Sequence, residues 1–181
     1  MEPLSRLNAR IFVHVMENVP ASANGWTWTV EPTGDGPPQI VAAAPLSVDP
    51  GAAVVLTLGS LGKRILVTLS DAEPARIAAL LARIEREAPD DPAELVLDLD
   101  DPFVVESGRA GVALISPSAT RFFPKLTDAV RFDEDVFLVS AAVFLSPEEL
   151  AVARRHGVEA LAERFRIAGR NLVRFAHRAR P

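Results

Sequence analysis

Carboxylates are concentrated between residues 85 and 106 of this 181-residue chain, where nine acids accompany a single base, Arg86. Acids at this density can supply oxygen ligands to a hard cation or form a surface that attracts a basic protein. They lack the spacing of an EF-hand, which places acids at alternate positions before a glycine and a terminal glutamate. A solvated strand end and loop is therefore the expected structure. The weak candidates for partner binding are Glu94, Asp98, Asp100 and Asp101.

The other candidates for chemistry do not match the motifs that they resemble. The stretch GSLGKR at 59–64 has two residues between its glycines, whereas a phosphate-binding loop needs four, so a hairpin turn is expected. His14, His156 and His177 are not spaced as metal ligands, and Ser107 lies in no nucleophile elbow. We therefore predict no catalytic, cofactor-binding or metal-binding residue and no cofactor.

The bulk composition argues against several classes of partner. The net charge is −5 at pH 7 and the pI is near 5.2, while nucleic acids and anionic membranes attract an excess of Lys and Arg. The chain has no cysteine, and no apolar run approaches the ~18 residues that span a bilayer. The first ten residues lack the apolar core of a secretory signal. These features predict a cytoplasmic protein without a membrane or nucleic-acid partner.

The hydrophobic pattern predicts an α+β fold in a single domain over residues 1–181, with two to four helices packed on a mostly antiparallel sheet. Residues 5–19 favour a helix that ends before Pro20, and the alternation around Trp26 and Trp28 indicates a half-buried strand. Helices and strands do not alternate regularly, which argues against a parallel doubly wound sheet. Further strands are predicted at 40–46, 53–58, 63–69, 94–99, 111–115 and 135–144, and the segment 121–130 is left without a prediction.

Two helices have recognisable ends. A helix is predicted over 71–88, with Ser70 as N-cap and Glu73 completing a capping box. A second begins after Ser146, where Glu149 occupies the capping-box position. Basic residues directly before Gly157 are typical of a helix end, so one alternative is that the helix stops there and a second helix begins at once. The other alternative is one longer helix in which Gly157 permits the close approach of another element.

The stretch 146–165, SPEELAVARRHGVEALAERF, together with the apolar strand before it, resembles the C-terminal part of bacterial suppressor-of-fused (SUFU-like) domains. The similarity is confined to about 136–165. That family usually carries tyrosines near this helix, and this chain has none. The matching residues are Glu148, Glu149, Leu150, His156, Gly157, Glu159, Ala160, Leu161, Glu163, Arg164 and Phe165.

The charge of the C-terminal region is opposite to that of the acidic stretch. Residues 154–180 contain eight arginines and two acids, so the two segments either neutralise each other or leave the acidic stretch 85–106 free as a binding surface. In the tail after residue 169, one face of a helical projection carries Leu172, Phe175, Ala176 and Ala179, and the opposite face carries Arg170, Arg174 and Arg178. A docked amphipathic helix or strand is favoured there over a nucleic-acid-binding arm.

Three functions are consistent with these observations. The resemblance implies a non-catalytic protein-binding domain, and in particular an immunity protein that neutralises a toxin made by a neighbouring gene. A basic toxin would suit the acidic stretch. The alternatives are a secretion or assembly chaperone that forms a homodimer, and a small enzyme that depends on a metal or on dispersed acids. The sequence does not determine the oligomeric state.

Overall fold

The computed structural model describes residues 6–22, 24–32, 38–58, 64–88, 95–120 and 122–176. None of the helices in these ranges is long and apolar enough to cross a membrane. The helices are α1 (Arg6–Asn18), α2 (Pro74–Glu87), α3 (Pro102–Glu106) and α4 (Pro147–Ala168). The strands are β1 (Thr27–Glu31), β2 (Gln39–Pro45), β3 (Ala53–Thr57), β4 (Arg64–Ser70), β5 (Leu95–Asp98), β6 (Gly111–Ile115), β7 (Ala129–Phe132) and β8 (Asp135–Leu145).

All eight strands form one sheet in the order β1-β2-β3-β4-β8-β6-β5, with β7 also paired to β8. The strands β1 to β4 form an antiparallel meander, and β4 and β8 make a parallel pair. The eleven-residue β8 is long enough to pair antiparallel with β7 near its start and with β6 near its end. The predicted α+β class and mostly antiparallel sheet are confirmed.

Helices cover both faces of the sheet, so the central strands are buried on both sides. Leu66 of β4 packs in the layer below α2 and α3, while its neighbours Ile65 and Val67 pack in the layer below α1 and α4. Every residue of β3 and β4 is consequently buried. These strands therefore have continuous apolar runs rather than a strict alternation of apolar and polar residues.

The predicted start of α2 is wrong. The helix begins at Pro74 with Glu73 as N-cap, and the Glu73 side chain makes no capping hydrogen bond. Ser70 is instead the last residue of β4, where its Oγ accepts a hydrogen bond from the Ala72 amide at 3.0 Å. Proline is favoured at the first helical position because its fixed φ suits the helix and its missing N–H has no intrahelical partner there. Pro74 therefore moves the helix start downstream of the apparent capping box.

The capping box of α4 is confirmed, since Ser146 Oγ accepts from the Glu149 amide at 3.3 Å and Glu149 Oε2 accepts from the Ser146 amide at 2.8 Å. Gly157 has φ 82° and ψ 169°, a non-helical conformation that joins two helical segments at a kink. A Cβ at Gly157 would meet no atom within 4 Å, so the glycine serves backbone conformation rather than close packing. The two-helix alternative therefore describes α4 better than the close-approach alternative.

Candidate protein-binding site

After α4 ends, residues 170–176 cross from one face of the sheet to the other. We call this segment the C-terminal strap. Gly169, in the left-handed region at φ 60°, ends α4 and turns the chain into it. Val173 is buried in the layer of α1 and α4, whereas Phe175 is buried in the layer of α2 and α3. The strap is docked, as predicted, but it is neither a helix nor a strand.

Two residues from distant parts of the chain hold the strap. The Asp71 amide donates to the Val173 carbonyl at 3.0 Å, and Asp71 Oδ1 accepts from the Phe175 amide at 2.7 Å. Arg109 donates from Nε to the Phe175 carbonyl at 2.6 Å and from Nη2 to the Arg174 carbonyl at 2.7 Å. These bonds give the strap's backbone the partners that a neighbouring strand would otherwise provide.

The same arginine belongs to a group of three charged side chains, Arg109, Glu149 and Arg170, which we call the charge node. Arg170 Nε donates to Glu149 Oε1 at 2.5 Å, and Arg109 Nη1 lies 3.5 Å from Glu149 Oε2. Arg170 also donates to the Phe144 carbonyl at 2.7 Å, and its guanidinium lies 4.7 Å from the centre of the Phe165 ring. Glu149 therefore caps α4 and ties the strap to it at the same time.

Burial makes the positive charge of Arg109 costly. Desolvation and, to a smaller extent, the nearby Arg170 lower the pKa of Arg109 to about 10, against the opposing effects of Glu149 and Asp71. A buried ion of this kind is retained only where hydrogen bonds replace the lost water. The carbonyls of the strap supply those bonds, so the charge and the strap depend on each other.

A groove of about 740 Å³ lies beside the strap. Its walls are the second half of α4, Gly169 and the first residues of the strap, the turn after β2, and parts of the segment 115–124. The lining is mainly apolar and includes Val48, Phe122, Ala162, Phe165 and Leu172. A concave apolar surface with a few polar groups at its rim can bury side chains of another molecule.

The groove exposes apolar side chains to solvent, and its rim is charged. Val48 is 77% exposed, and Phe165 and Leu172 are half-buried. Arg166 lies on the rim, where its Nε donates to Glu163 Oε2 at 2.8 Å. This hydrogen bond raises the pKa of Arg166 and lowers that of Glu163. Both side chains are exposed, so the pair adds little stability and remains available to a partner.

The predicted acidic candidates do not form one continuous free patch. Asp98, at the end of β5, makes an exposed ion pair with Arg154 of α4. Asp101 is the N-cap of α3, accepting from the Phe103 amide at 3.0 Å, and it also pairs with Arg83 of α2 at 3.1 Å. Asp100 is exposed and makes no ion pair within the described ranges, and Glu94 lies outside them. Internal neutralisation therefore accounts for Asp98 and Asp101.

The remaining singled-out residues do not converge. Ser107 donates its hydroxyl to the Phe103 carbonyl at 2.7 Å, which closes α3. His14 lies on α1 and His156 is exposed on α4, while His177 and residues 59–63 of the predicted hairpin turn lie outside the described residues. Within the part of the chain that the structure describes, no group of three or more His, Asp or Glu side chains could hold a metal ion.

Sequence patterns did not reveal the charge node or the groove. Glu149 was identified as a capping residue and as one of the residues that match SUFU-like domains, but Arg109 and Arg170 were not linked to it because they lie 40 and 21 residues away. The one available signal was an isolated arginine before the apolar run of β6, since an arginine next to a buried strand needs an acceptor. That signal does not identify the acceptor.

Comparison with known proteins places this arrangement in a structural context. No family model matches the chain, and no curated protein matches it either. A solved structure from Neisseria gonorrhoeae FA 1090, described as a homologue of SUFU (suppressor of fused protein), superposes with a TM-score of 0.69 at 17% identity. The match covers 96% of this chain and 95% of that one.

The chain has a SUFU-like fold. The likeness extends over nearly the whole chain, so the predicted limit to residues 136–165 is too narrow as a description of the fold. At this identity the comparison establishes architecture, and a shared fold does not by itself carry a shared function.

Proposed function

We propose that this chain is a non-catalytic protein-binding domain and, more specifically, an immunity protein that binds and neutralises a toxin. The observation that carries the proposal is the apolar groove between α4 and the strap. Its volume suits a segment of a partner protein, and two of its lining residues, Ala162 and Phe165, belong to the stretch that resembles SUFU-like domains. The half-buried Phe165 supplies the kind of aromatic anchor that contributes most to binding at interfaces.

The SUFU-like fold supports this proposal at a coarser level. A fold likeness at 17% identity is compatible with many activities, so it adds weight only together with the resemblance in 146–165. That resemblance is what makes immunity the specific proposal, because many bacterial SUFU-like domains are thought to neutralise toxins. The alternatives of a chaperone homodimer and of a small enzyme have no specific observation in their favour.

The acidic stretch has a secondary role in this proposal. Asp100 is exposed and has no counter-ion among the residues that the structure describes, and Asp98 holds only an exposed ion pair that a basic partner can displace. Such charges mainly accelerate association with a basic protein, while the groove provides the buried contact area. Asp101 is less suitable for this role because it caps α3 and pairs with Arg83.

The test is binding of the purified chain to the product of each neighbouring gene, measured by titration calorimetry and by growth of cells that express both proteins. Ala162→Glu places a charge in the groove wall, and Ala160→Glu makes the same change on an exposed part of α4 outside the groove. We expect Ala162→Glu to weaken binding at least tenfold and to abolish protection. Ala160→Glu should leave both unchanged.

Three outcomes are informative beyond this. If no neighbouring product binds and none is toxic, the immunity proposal is wrong. If a toxin binds equally well to both variants, the domain is an immunity protein whose interface lies elsewhere. A separate arm compares the association rates of Asp100→Asn and the wild-type chain. Slower association of the variant at low salt, with equal rates at high salt, would support the role of the acidic stretch.

A further inference from the structure

The strap is attached to the rest of the fold at few points. Within the described residues, every hydrogen bond that joins residues 171–176 to another element involves Asp71 or Arg109. The Val173 amide bonds only locally, to Asn171 Oδ1 at 3.0 Å. A strand in the sheet, by contrast, is held by a ladder of backbone bonds to its neighbours. Loss of the Asp71 and Arg109 contacts would leave the segment held only by its buried side chains and would not break the sheet.

The strap also has a defined point about which it can turn. Arg170, at its start, is fixed by Glu149 and by the Phe144 carbonyl. Asn171, the next residue, is exposed. The buried anchors that follow are Val173 and Phe175, and Phe175 stacks on Phe103 with ring centres 4.8 Å apart. Detachment would therefore begin after Arg170 and would include both anchors.

The position of the strap determines whether the groove is complete. Gly169 and the following four residues line the groove, but Asp71 and Arg109 do not. A substitution at Asp71 can therefore displace one wall of the groove although Asp71 itself does not line the groove. A short segment with few hydrogen bonds to other elements and no regular structure can open locally, at lower free energy than global unfolding.

We infer that residues 171–176 form a hinged wall of the groove, which undocks as a unit while the sheet stays folded and which Asp71 and Arg109 hold closed. Asp71 and Arg109 are thus positioning residues for the groove. Any ligand that contacts the wall binds only the docked state and stabilises it, so docking and binding favour each other. This hinge is a property of the fold and does not depend on whether the partner is a toxin.

Hydrogen exchange of two backbone amides tests the inference without a partner protein. The Phe175 amide reports the strap because it donates to Asp71, and the Leu66 amide reports the sheet because it lies in the central β4 and donates to Thr57 Oγ1. We expect the Phe175 amide of the wild-type chain to exchange at least tenfold faster than the Leu66 amide. In Asp71→Ala, the Phe175 amide should exchange at least tenfold faster than in the wild-type chain, while the exchange rate of the Leu66 amide should change by less than about twofold.

Matched variants separate the loss of the Asp71 contact with the strap from general destabilisation of the fold. Asp71→Asn keeps a side-chain oxygen that can accept from Phe175, and it should restore most of the protection. Glu73→Ala removes another exposed acid two residues away that makes no bond to the strap, and it should have no effect. Equal exchange of the two amides in the wild-type chain and in Asp71→Ala would overturn the inference, because the strap would then open only with the whole fold. An equal effect of Glu73→Ala would overturn it as well.

Discussion

Two groups of ion pairs that involve α4 differ strongly in their exposure to solvent. At the charge node, the side chains of Arg109, Glu149 and Arg170 are 4%, 20% and 12% exposed. In the pair between Asp98 and Arg154, farther along the helix, the side chains are 62% and 54% exposed. Both groups join distant parts of the chain, but only in the charge node are the charged side chains largely shielded from solvent and hydrogen-bonded to protein atoms.

This difference indicates which charges serve the fold and which remain available to a partner. In the charge node each ion has several hydrogen bonds, and removing one member leaves the others uncompensated in a poorly solvated place. In the exposed pair, water can replace either partner at little cost. We therefore expect substitutions at the node to affect stability and those at the acidic stretch to affect association.

The largest expected effect follows from Glu149→Ala. This change removes the capping box of α4 and leaves Arg109 and Arg170 close together without a counter-ion, so we expect a loss of about 3 kcal/mol in the free energy of unfolding. Urea denaturation monitored by circular dichroism measures it. Glu149→Gln preserves the shape and an acceptor oxygen but removes the negative charge, so its difference from the wild-type chain reports the contribution of that charge. A loss below about 1 kcal/mol would show that the node is no stronger than a surface pair.

A smaller effect is expected from the titration of Arg109. Its pKa is lowered to about 10 in the fold, well below that of an unfolded arginine. Above pH 10 the unfolded chain therefore binds a proton that the native chain does not, and the native state gains stability as the pH rises. Relative to Arg109→Met, the wild-type chain should gain about 1 kcal/mol in the free energy of unfolding between pH 9 and 11.

The composition makes this pH range easy to interpret. The chain has no tyrosine or cysteine, and Lys63 and Lys125 are its only lysines. Few other groups therefore titrate between pH 9 and 11. A difference that stays constant or falls over this range would show that burial does not dominate the environment of Arg109. The charge node would then resemble the exposed pair.

Local patterns were sufficient to predict most of the fold. The strands from β1 to β4, the helix α1 and the long β8 follow from runs of apolar residues and from their spacing, because burial acts on each segment in a similar way. The capping box at Ser146 was predicted correctly, while the similar pattern at Ser70 was not a cap. The two differ because proline directly follows Ser146, whereas after Ser70 it comes only at Pro74, which sets the start of α2.

The candidate site was much less predictable because it depends on contacts between distant residues. Asp71 and the strap are about a hundred residues apart, and the groove needs four separate segments to form its walls. Neutralisation of the acidic stretch by the arginines of 154–180 was one of the two alternatives, and the Arg154–Asp98 pair is an instance of it, whereas the pairing of Asp101 with Arg83 of α2 was not anticipated. Charge density along a sequence gives no indication of which charges the fold neutralises.

The smallest expected effect is that of Asp98→Asn, and it completes the comparison with the charge node. The ion pair with Arg154 is exposed, so its loss should cost less than about 0.5 kcal/mol of the free energy of unfolding, and nothing in high salt. Urea denaturation at low and high salt measures both values. Arg154→Gln should give the same small change, because each variant removes one side of the same pair. If either variant lost as much stability as Glu149→Ala, exposure would not separate the two regions, and Asp98 would be part of the folded scaffold rather than a charge available to a partner.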